Sequence, residues 1–342
     1  MDYTVSIPTC KEGLSMPLPF ADLDDVVRIS QAAERLGYHS VWGNDHITAP
    51  RYVREAHATP PRFFEPLITL AYVAAHTRTI RLGTAVLVVP MREPVFLAKQ
   101  VATLDHASGG RVLLGVGVGA YREELEALRP KSKGIDRGEM LAEGLAAMRL
   151  LFTERRASYS GRFYRFEGIE LFPKPVQNPF PIYVGGNHVN QIRRAVAYGN
   201  GWLPASIPPS QLREGVVELQ RAAEQAGRDP REIVVAPQVM VCIARTHESA
   251  IRNFESSPMY RHLHTLGEST LRSVDMGRLV EANLIGTPEE IVSRVKAFED
   301  AGASLMATMS FISPTVEATL EDIQYFAEDV FSASEVAPRP RA

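Results

Sequence analysis

An aspartate and a histidine, both able to carry a proton, stand side by side just after a short predicted strand at residues 40–42. They are Asp45 and His46, and Asn44 precedes them. Histidine exchanges a proton near neutral pH, and an acceptor at one ring nitrogen determines which tautomer is present. An adjacent Asp and His also occur as a turn residue and a structural histidine. The dipeptide alone therefore leaves both interpretations open.

Alternating glycines mark a second candidate region. Gly115, Gly117 and Gly119 lie in or just after a predicted strand at residues 112–118, and alternate residues of a strand point to the same face. One face is thus without side chains, and a flat ligand can approach it. The spacing is not a dinucleotide fingerprint, because the glycines lie within the strand and do not open a helix.

A third candidate region is a pair of glycines between a strand and a helix. Gly185, Gly186 and Asn187 follow the predicted strand 182–184 and precede a helical segment. Free N–H groups and the dipole at the start of a helix favour an anion, and phosphate is the natural candidate. A Gly-Gly pair also serves simple chain reversal, and the spacing weights the two interpretations about equally.

The other nucleophilic and metal-binding residue types form no known motif. Cys10 and Cys242 are far apart, and His262 and His264 have no cysteines at metal-ligand spacing. Neither a GxSxG elbow nor a P-loop occurs. We therefore expect no metal site.

Eight short apolar runs alternate with segments of helical periodicity, and this alternation must position the candidate residues. The predicted strands are 4–7, 40–42, 80–88, 112–118, 182–184, 201–204, 234–243 and 305–309. Helices are predicted between them, for example at 23–36, 94–105, 138–152 and 288–301. Eight repeats predict a (β/α)8 TIM barrel, because a doubly wound sheet usually has five or six strands. Barrel enzymes carry function at the carboxyl ends of the strands.

Two segments are longer than the repeats require. Residues 158–175 contain alternating aromatics and glycine turns, which predict an inserted β-hairpin. Residues 254–280 are interpreted as a helical excursion or lid, and residues 336–342 as a frayed tail. Because no linker is evident, we expect one barrel domain over residues 1–342.

The composition favours a small-molecule ligand. The chain has 37 Lys and Arg against 40 Asp and Glu, a formal net charge of -3, which argues against nucleic acid or an anionic membrane surface as partner. No run approaches the roughly 18 apolar residues of a membrane helix. The N-terminus lacks the features of a signal peptide, so we expect a cytoplasmic protein.

Taken together, these segments resemble the luciferase-like monooxygenase superfamily, whose members are flavin or deazaflavin barrel enzymes. The likeness spans residues 3–331 and is carried by LGYHSVWGNDHI at 36–47, by residues 65–119, by GRFYRFEGIELFPKPVQNPFPIYVGGN at 161–187, by GNGWLP at 199–204 and by LIGTPEEIVSRVKAFEDAGA at 284–303. It is closest to the branch that uses the deazaflavin coenzyme F420. Members that use FMN share much of the same sequence.

The resemblance implies a tricyclic cofactor in the barrel mouth, F420 or alternatively FMN. It implies that backbone amides of Gly185, Gly186 and Asn187 hold the cofactor phosphate. It also implies a non-prolyl cis peptide at Ala85–Val86, after Thr84 at the end of the third strand. The remaining implied cofactor contacts flank the ring: Gly115, Gly117 and Gly119.

The resemblance further implies roles for the Asp-His pair. His46 gives or takes the substrate proton while hydride moves to or from the deazaflavin, and Asp45 contacts the cofactor or orients the loop. Sugar-phosphate dehydrogenases of the superfamily carry a catalytic carboxylate directly after the last glycine of the fourth strand, where this chain has Ala120 and Tyr121. This departure argues against glucose-6-phosphate as the substrate. It favours an apolar or aromatic substrate in a pocket lined by Phe63, Phe64, Tyr121 and Trp202.

Two alternatives to hydride transfer remain. One is an FMNH2-dependent monooxygenase with a flavin reductase as partner, and the other is a barrel that binds a flavin without catalysis. Arg51 or Arg54 near the mouth would favour the longer anionic tail of F420. Barrels of this kind often pair, so we also expect a homodimer.

Overall fold

The computed structural model describes residues 1–267 and 278–331, in which strands and helices alternate along the chain. The strands are β1 (Asp2–Ile7), β2 (Ser40–Gly43), β3 (Arg81–Thr84), β4 (Leu87–Val88), β5 (Val112–Gly117), β6 (Ala157–Ser160), β7 (Arg165–Ile169), β8 (Ile182–Gly185), β9 (Gly201–Leu203), β10 (Val234–Val235), β11 (Gln238–Ile243), β12 (Leu284–Gly286) and β13 (Leu305–Phe311). The α-helices are α1 (Leu23–Arg35), α2 (Arg51–Ala56), α3 (Pro66–His76), α4 (Pro94–Ser108), α5 (Arg122–Leu128), α6 (Arg137–Thr153), α7 (Val189–Tyr198), α8 (Pro209–Gln225), α9 (His247–Glu255), α10 (Pro258–Gly267), α11 (Pro288–Asp300) and α12 (Val316–Phe326).

The main sheet is parallel and follows the order β10-β9-β8-β5-β3-β2-β1-β13-β11-β12. Eight positions of a barrel are filled in turn by β1, β2, β3, β5, β8, β9, the pair β10 and β11, and β13. The predicted (β/α)8 barrel is thus confirmed. Strand β4 adds a short pairing to β5, and β12 extends the sheet beside β11.

The barrel closes at its seventh position, where Ala236 and Pro237 divide the predicted strand into β10 and β11. The N–H groups of Val234, Ala236 and Gln238 donate to carbonyls on or beside β9. On the other side β11 pairs with β13. Pro237 has no N–H to donate, and the register between β11 and β13 shifts directly after Gln238.

Capping residues and apolar stripes account for the helices. Thr287 caps α11, and Glu290 completes the capping box that the sequence predicts. In α1 the buried residues Val26, Ile29 and Ala33 recur at helical spacing and face the sheet. Burying such a large aliphatic side chain contributes about 1.5–3 kcal/mol. The helices thereby form the outer layer that holds the barrel strands in place.

The predicted insertion at 158–175 is a hairpin of the antiparallel strands β6 and β7. The other predicted excursion contains α9 in part and α10, whose Met259 and Leu263 are buried. The remainder of that excursion at 268–277, and the predicted tail at 336–342, lie outside the described residues.

In the described part of the chain, no helix combines the length and apolar character that crossing a membrane requires.

Candidate active site

A cavity of about 560 Å³ lies at the carboxyl ends of the barrel strands. This volume falls in the range of small-molecule sites. Its lining residues come from the ends of β1, β2, β5, β8, β11 and β13, and α10 adds Met259, His262 and Leu263. The excursion therefore contributes directly to the mouth of the barrel.

His46 lines this cavity and is held by a carboxylate. Its Nδ1 lies 2.8 Å from Glu124 Oε2, and the other carboxylate oxygen of Glu124 accepts the Ile47 N–H at 3.0 Å. The His46 side chain is 11% exposed and that of Glu124 is 3% exposed. Because a carboxylate accepts only, Nδ1 carries the proton of the pair and Nε2 is the nitrogen left for a ligand.

Asp45 also borders the cavity, but its carboxylate is used within the protein. Oδ2 accepts the Val88 N–H at 2.8 Å, and both oxygens pair with the Arg92 guanidinium at 2.5 and 3.0 Å. Arg92 also reaches Glu65 at 3.1 Å. This buried ion pair ties the loop after β2 to the segment after β4. The geometry matches the loop-orienting alternative for Asp45.

The third strand is interrupted by the cis peptide that the resemblance implies, between Ala85 and Val86. Both residues line the cavity, and the Ala85 N–H donates to the carbonyl of Gly43 at 2.7 Å. They present an apolar surface at the carboxyl end of β3.

The glycines beside this surface serve a different purpose from the one predicted. A Cβ at Gly117 or at Gly185 would come within 2.5 Å of a Val86 methyl group, and one at Gly119 within 2.9 Å of Val88. Valine side chains therefore cover the strand face that was expected to be bare. The three glycines still border the cavity, but they make room for the apolar surface.

Thr84 and Gly115 lie deeper, and the structure does not place them among the residues lining the cavity. The Thr84 hydroxyl donates to the Gly115 carbonyl at 2.7 Å. A Cβ at Gly115 would come within 1.9 Å of the Thr84 carbonyl oxygen. This pair joins β3 to β5 beneath the site, so its predicted direct contact with a cofactor is corrected to a supporting position.

The segment Gly185, Gly186 and Asn187 lines the cavity where α7 begins. The Gly186 N–H donates to the Leu203 carbonyl at 3.0 Å, and the Asn187 side chain forms two hydrogen bonds with the Ala205 backbone. The amide of Gly186 is thus engaged in the sheet. In the first turn of α7, the Asn190 N–H donates to His188 Nδ1 at 3.1 Å and the Gln191 N–H donates to the His188 carbonyl at 2.8 Å. The dipole at the start of this helix is the remaining feature suited to an anion.

Two predicted aromatic residues surround His46. The rings of Phe63 and Tyr121 lie 5.8 and 5.7 Å from the imidazole, centre to centre. The Tyr121 hydroxyl is 3.3 Å from both the Tyr52 hydroxyl and His262 Nδ1, and Tyr52 is 2.8 Å from the same nitrogen. Burial raises the pKa of Tyr121 and lowers that of His262 to about 3. Both groups are therefore neutral at pH 7 and link α10 to the rest of the mouth.

Phe63 and Tyr121 contact His46 but are not among the residues that line the cavity, and the other two predicted pocket aromatics also lie outside that lining. The backbone N–H of Phe64 donates to the Thr9 carbonyl at 2.9 Å, and the ring is half-buried outside the cavity lining. Trp202 is fully buried, its indole N–H donates to the Gly186 carbonyl at 2.9 Å, and it packs on Gly215 of α8. It faces the helical layer, because successive residues of β9 point alternately inward and outward. The placement of Trp202 in the substrate pocket is thus corrected.

Sequence reasoning gave no role to two further charged groups at the site. Glu124 was visible only as an acidic residue in the first turn after the fourth barrel strand, and its contact with His46 joins positions 78 residues apart. Lys11, in the loop after β1, lines the cavity and donates to Ser6 and Ser310. The signal available for both was a charged residue shortly after a barrel strand.

A parallel barrel with a ligand-sized cavity at the carboxyl ends of its strands is the architecture of a barrel enzyme. Residues 1–305 match the family model described as luciferase-like monooxygenase. The chain belongs to this family, as the resemblance predicts, and it is an oxidoreductase.

Two curated relatives differ in cofactor. The F420-dependent glucose-6-phosphate dehydrogenase of Segniliparus rotundus is 28% identical over 292 residues, which cover 81% of this chain and 85% of that protein. The oxygenase component of the flavin-dependent trigonelline monooxygenase of Acinetobacter baylyi is 25% identical over 304 residues, covering 82% and 81%. Relatives of this chain thus use F420 or a flavin.

A solved structure supports the fold. It is an F420-dependent secondary alcohol dehydrogenase in complex with an F420-acetone adduct, and it superimposes with a TM-score of 0.75. The match is 21% identical and covers 100% of this chain and 99% of that one. At this identity the likeness concerns the architecture alone.

Proposed function

We propose that this protein transfers a hydride between coenzyme F420 and a small organic substrate, with His46 as the group that exchanges the substrate proton. The observation that carries the proposal is the pairing of His46 Nδ1 with Glu124 at 2.8 Å, which leaves Nε2 for a ligand in the cavity. An F420-dependent relative that aligns with 81% of the chain supports the choice of cofactor.

The residues around the cavity fit a flat cofactor that carries a phosphate. Ala85 and Val86 offer the apolar surface for one face of a ring, and the start of α7 beside Asn187 offers the positive end of the helix dipole for the phosphate. The cavity of about 560 Å³ is large enough for a ring and a small substrate together. When bound, F420 supplies the carbon centre that gives or accepts hydride.

The side chains of the protein perform the proton transfer and hold the geometry. In the neutral ring His46 Nε2 takes a proton from a substrate hydroxyl, and in the reverse direction the protonated ring donates that proton from Nε2 to a carbonyl oxygen. Glu124 keeps Nδ1 protonated and compensates the positive charge that develops on the ring. Asp45 and Arg92 act as positioning residues, because their ion pair fixes the loop that carries His46.

We propose that the substrate is apolar or aromatic near its reacting carbon. Leu14, Val88, Met259 and Leu263 line the same cavity as His46, and Phe63 and Tyr121 pack around the His46 ring. The carboxylate of Glu124 is occupied by His46 and the following backbone. This arrangement supports a search among alcohols, ketones, imines and activated alkenes.

The test is a parallel titration of apoprotein with F420 and with FMN, each oxidised and reduced, followed by fluorescence and calorimetry. Selective binding of F420, together with substrate turnover that His46→Ala lowers by about 10²- to 10⁴-fold while F420 binding survives, is the expected result. Turnover that is unchanged by His46→Ala in every assay would contradict the role of His46 and favour a barrel that binds its cofactor without catalysis.

A second candidate is FMNH2-dependent monooxygenation with a separate flavin reductase. The observation that favours it is the similarity to the oxygenase component of a flavin-dependent monooxygenase over 82% of the chain. Preferential binding of reduced FMN, with dioxygen consumed when substrates are added, would replace hydride transfer by oxygenation.

A further inference from the structure

A buried lysine that lines the cavity has no role in the proposed proton transfer. Lys11 is 6% exposed and lies in the loop after β1. Its Nζ donates to the hydroxyl of Ser6 on β1 and to that of Ser310 on β13, the latter at 3.1 Å. All three residues line the cavity. The ammonium group thus belongs to the site and not to the outer surface.

The partners of Lys11 are neutral. Within residues 1–267 and 278–331, the ion pairs with N···O distances up to 4.0 Å include none to Lys11. An ammonium group has three N–H donors, and the two serines account for two of them. Burying a cation beside hydroxyl groups alone is costly, because no opposite charge offsets the lost hydration.

Burial is also reflected in the proton affinity of Lys11. It lowers the pKa of this lysine to about 7. An anion that binds beside the amine stabilises the charged form and recovers part of the free energy lost through burial.

We propose that Lys11, set between Ser6 and Ser310, binds an anionic oxygen of the ligand that occupies the cavity. The oxygen belongs either to a carboxylate of the substrate or to an ionised oxygen on the cofactor ring. The inference deepens the proposed function, because it assigns a binding partner within the same cavity. The possibility that the anion is a cofactor oxygen rests on the proposed function. A ligand that fits the cavity would then carry a negative charge near Lys11, although the other walls of the cavity are largely apolar.

The first arm of the test uses apoprotein and no cofactor. Benzoate and its neutral analogue benzamide are titrated by calorimetry into the wild type, Lys11→Met and Ser310→Ala. If the substrate supplies the anion, wild type binds benzoate about tenfold more tightly than benzamide, and Lys11→Met removes this preference. Ser310→Ala keeps the charge and so keeps most of the preference.

The second arm follows the ionisation of the F420 ring oxygen by absorbance in the bound state. If the ring supplies the anion, the bound oxygen ionises at lower pH in the wild type than in Lys11→Met, by at least about one unit. Lys296→Met, which removes an exposed cation from α11, serves as the matched charge control and leaves both readouts unchanged.

A change in either arm with Lys11→Met, absent from Lys296→Met, supports the inference and identifies the source of the anion. Equal binding of benzoate and benzamide to the wild type, or no binding of either, together with F420 ionisation that Lys11→Met does not alter, overturns it. The wild-type comparison does not require a folded variant. A protein that ignores F420 but selects benzoate through Lys11 would contradict the proposed function and leave this inference standing.

Discussion

At the scale of single residues, the site depends on pairs in which one side chain orients another. Glu124 orients His46, and Arg92 holds Asp45. The sequence left two roles open for Asp45, contact with the cofactor or orientation of the loop, because adjacent residues in a loop can point in different directions. Their separate partners support different proposed roles: His46 borders the cavity with Nδ1 paired to Glu124, and Asp45 is paired with Arg92.

The pair of His46 and Glu124 predicts graded losses of activity. We expect His46→Ala to lower kcat/KM by about 10²- to 10⁴-fold, the usual contribution of a general acid or base. Glu124→Gln keeps an acceptor for Nδ1 but loses the compensating charge, so its loss is smaller and falls mainly on kcat. Steady-state kinetics with F420 check both variants.

Glu123→Gln is the matched control, because this neighbouring carboxylate contacts the Arg51 backbone and not His46. It should retain activity close to that of the wild type. An equal loss in both glutamine variants would point to a shared effect on α5 and not to His46.

Lys11 makes a prediction about the pH dependence of stability. Burial lowers its pKa from 10.5 to about 7. Between these values the unfolded chain keeps a proton that the folded protein has released, so the free energy of unfolding rises with pH through this window. The cost of burying the charge is complete below pH 7 and is relieved above it.

The free energy of unfolding of Lys11→Met should therefore exceed that of the wild type most below pH 7. This difference should narrow as the pH rises, by at most about 1.4 kcal/mol per pH unit. Urea denaturation of both proteins across this window measures the difference. A constant difference would mean that the amine is charged, or neutral, throughout.

At the scale of elements, the β3–β4 connection and α10 shape the site from two sides. The connection carries Ala85 and Val86, which pack over glycines of the neighbouring strands. Helix α10 is attached through the contact of His262 with Tyr52. The alternating glycines were evident in the sequence. Their packing partner was not, because Val86 approaches from a different strand.

Packing of Val86 over the glycines predicts a steric conflict that can be relieved. In Gly117→Ala the new methyl group would lie 2.5 Å from a Val86 methyl, so we expect a loss of about 1–3 kcal/mol in the free energy of unfolding. Val86→Ala in the same chain should recover part of that loss. A double-mutant cycle by urea denaturation measures this coupling, and strictly additive effects would contradict direct contact.

His262 predicts that α10 weakens in acid. Burial lowers its pKa from 6.5 to about 3, so the stability held by the neutral ring is present above pH 6.5 and is lost as the pH falls toward 3. We expect limited proteolysis within α10 to be faster at about pH 5 than at pH 7 in the wild type.

The matched variant for this prediction is His262→Phe, which cannot be protonated. Its α10 should be cleaved at similar rates at both pH values after correction for protease activity. If the variant shows the same acid sensitivity as the wild type, another group is responsible.

At the scale of the whole molecule, the barrel could be predicted from patterns that are visible in the sequence. Alternating apolar runs predicted all eight barrel strands, and the Thr287 cap marked the start of α11. The site was predicted less completely. Lys11, Glu124 and His262 lie far apart along the chain, and the closed barrel brings each to the cavity or to a side chain that lines it. Trp202 could point inward or outward until its register was known. That residues 1–342 form one domain stays a prediction.

The junction between β9 and the seventh barrel position, formed by β10 and β11, predicts where a ligand slows amide hydrogen exchange. A short ladder joins its two sides, in which Val234, Ala236 and Gln238 donate to carbonyls on or beside β9 and the Ser206 N–H donates back to the Gln238 carbonyl. The Gln238 side-chain amide also donates to the Leu203 carbonyl at 3.0 Å. Asn187 lies on one side of this ladder and Met240 on the other, and both border the cavity. A ligand that touches both sides therefore acts as a clamp on the ring of strands.

We expect saturating ligand to slow amide hydrogen exchange at Ala236 and Gln238 more than in the β1–β13 pairing, because binding to the closed form alone stabilises it by mass action. Exchange measured by mass spectrometry, with and without F420, provides the comparison. Uniform protection along the whole sheet would indicate that the barrel opens only by global unfolding. Protection concentrated at Ala236 and Gln238 would mean that the bound cofactor also stabilises the closed ring of strands.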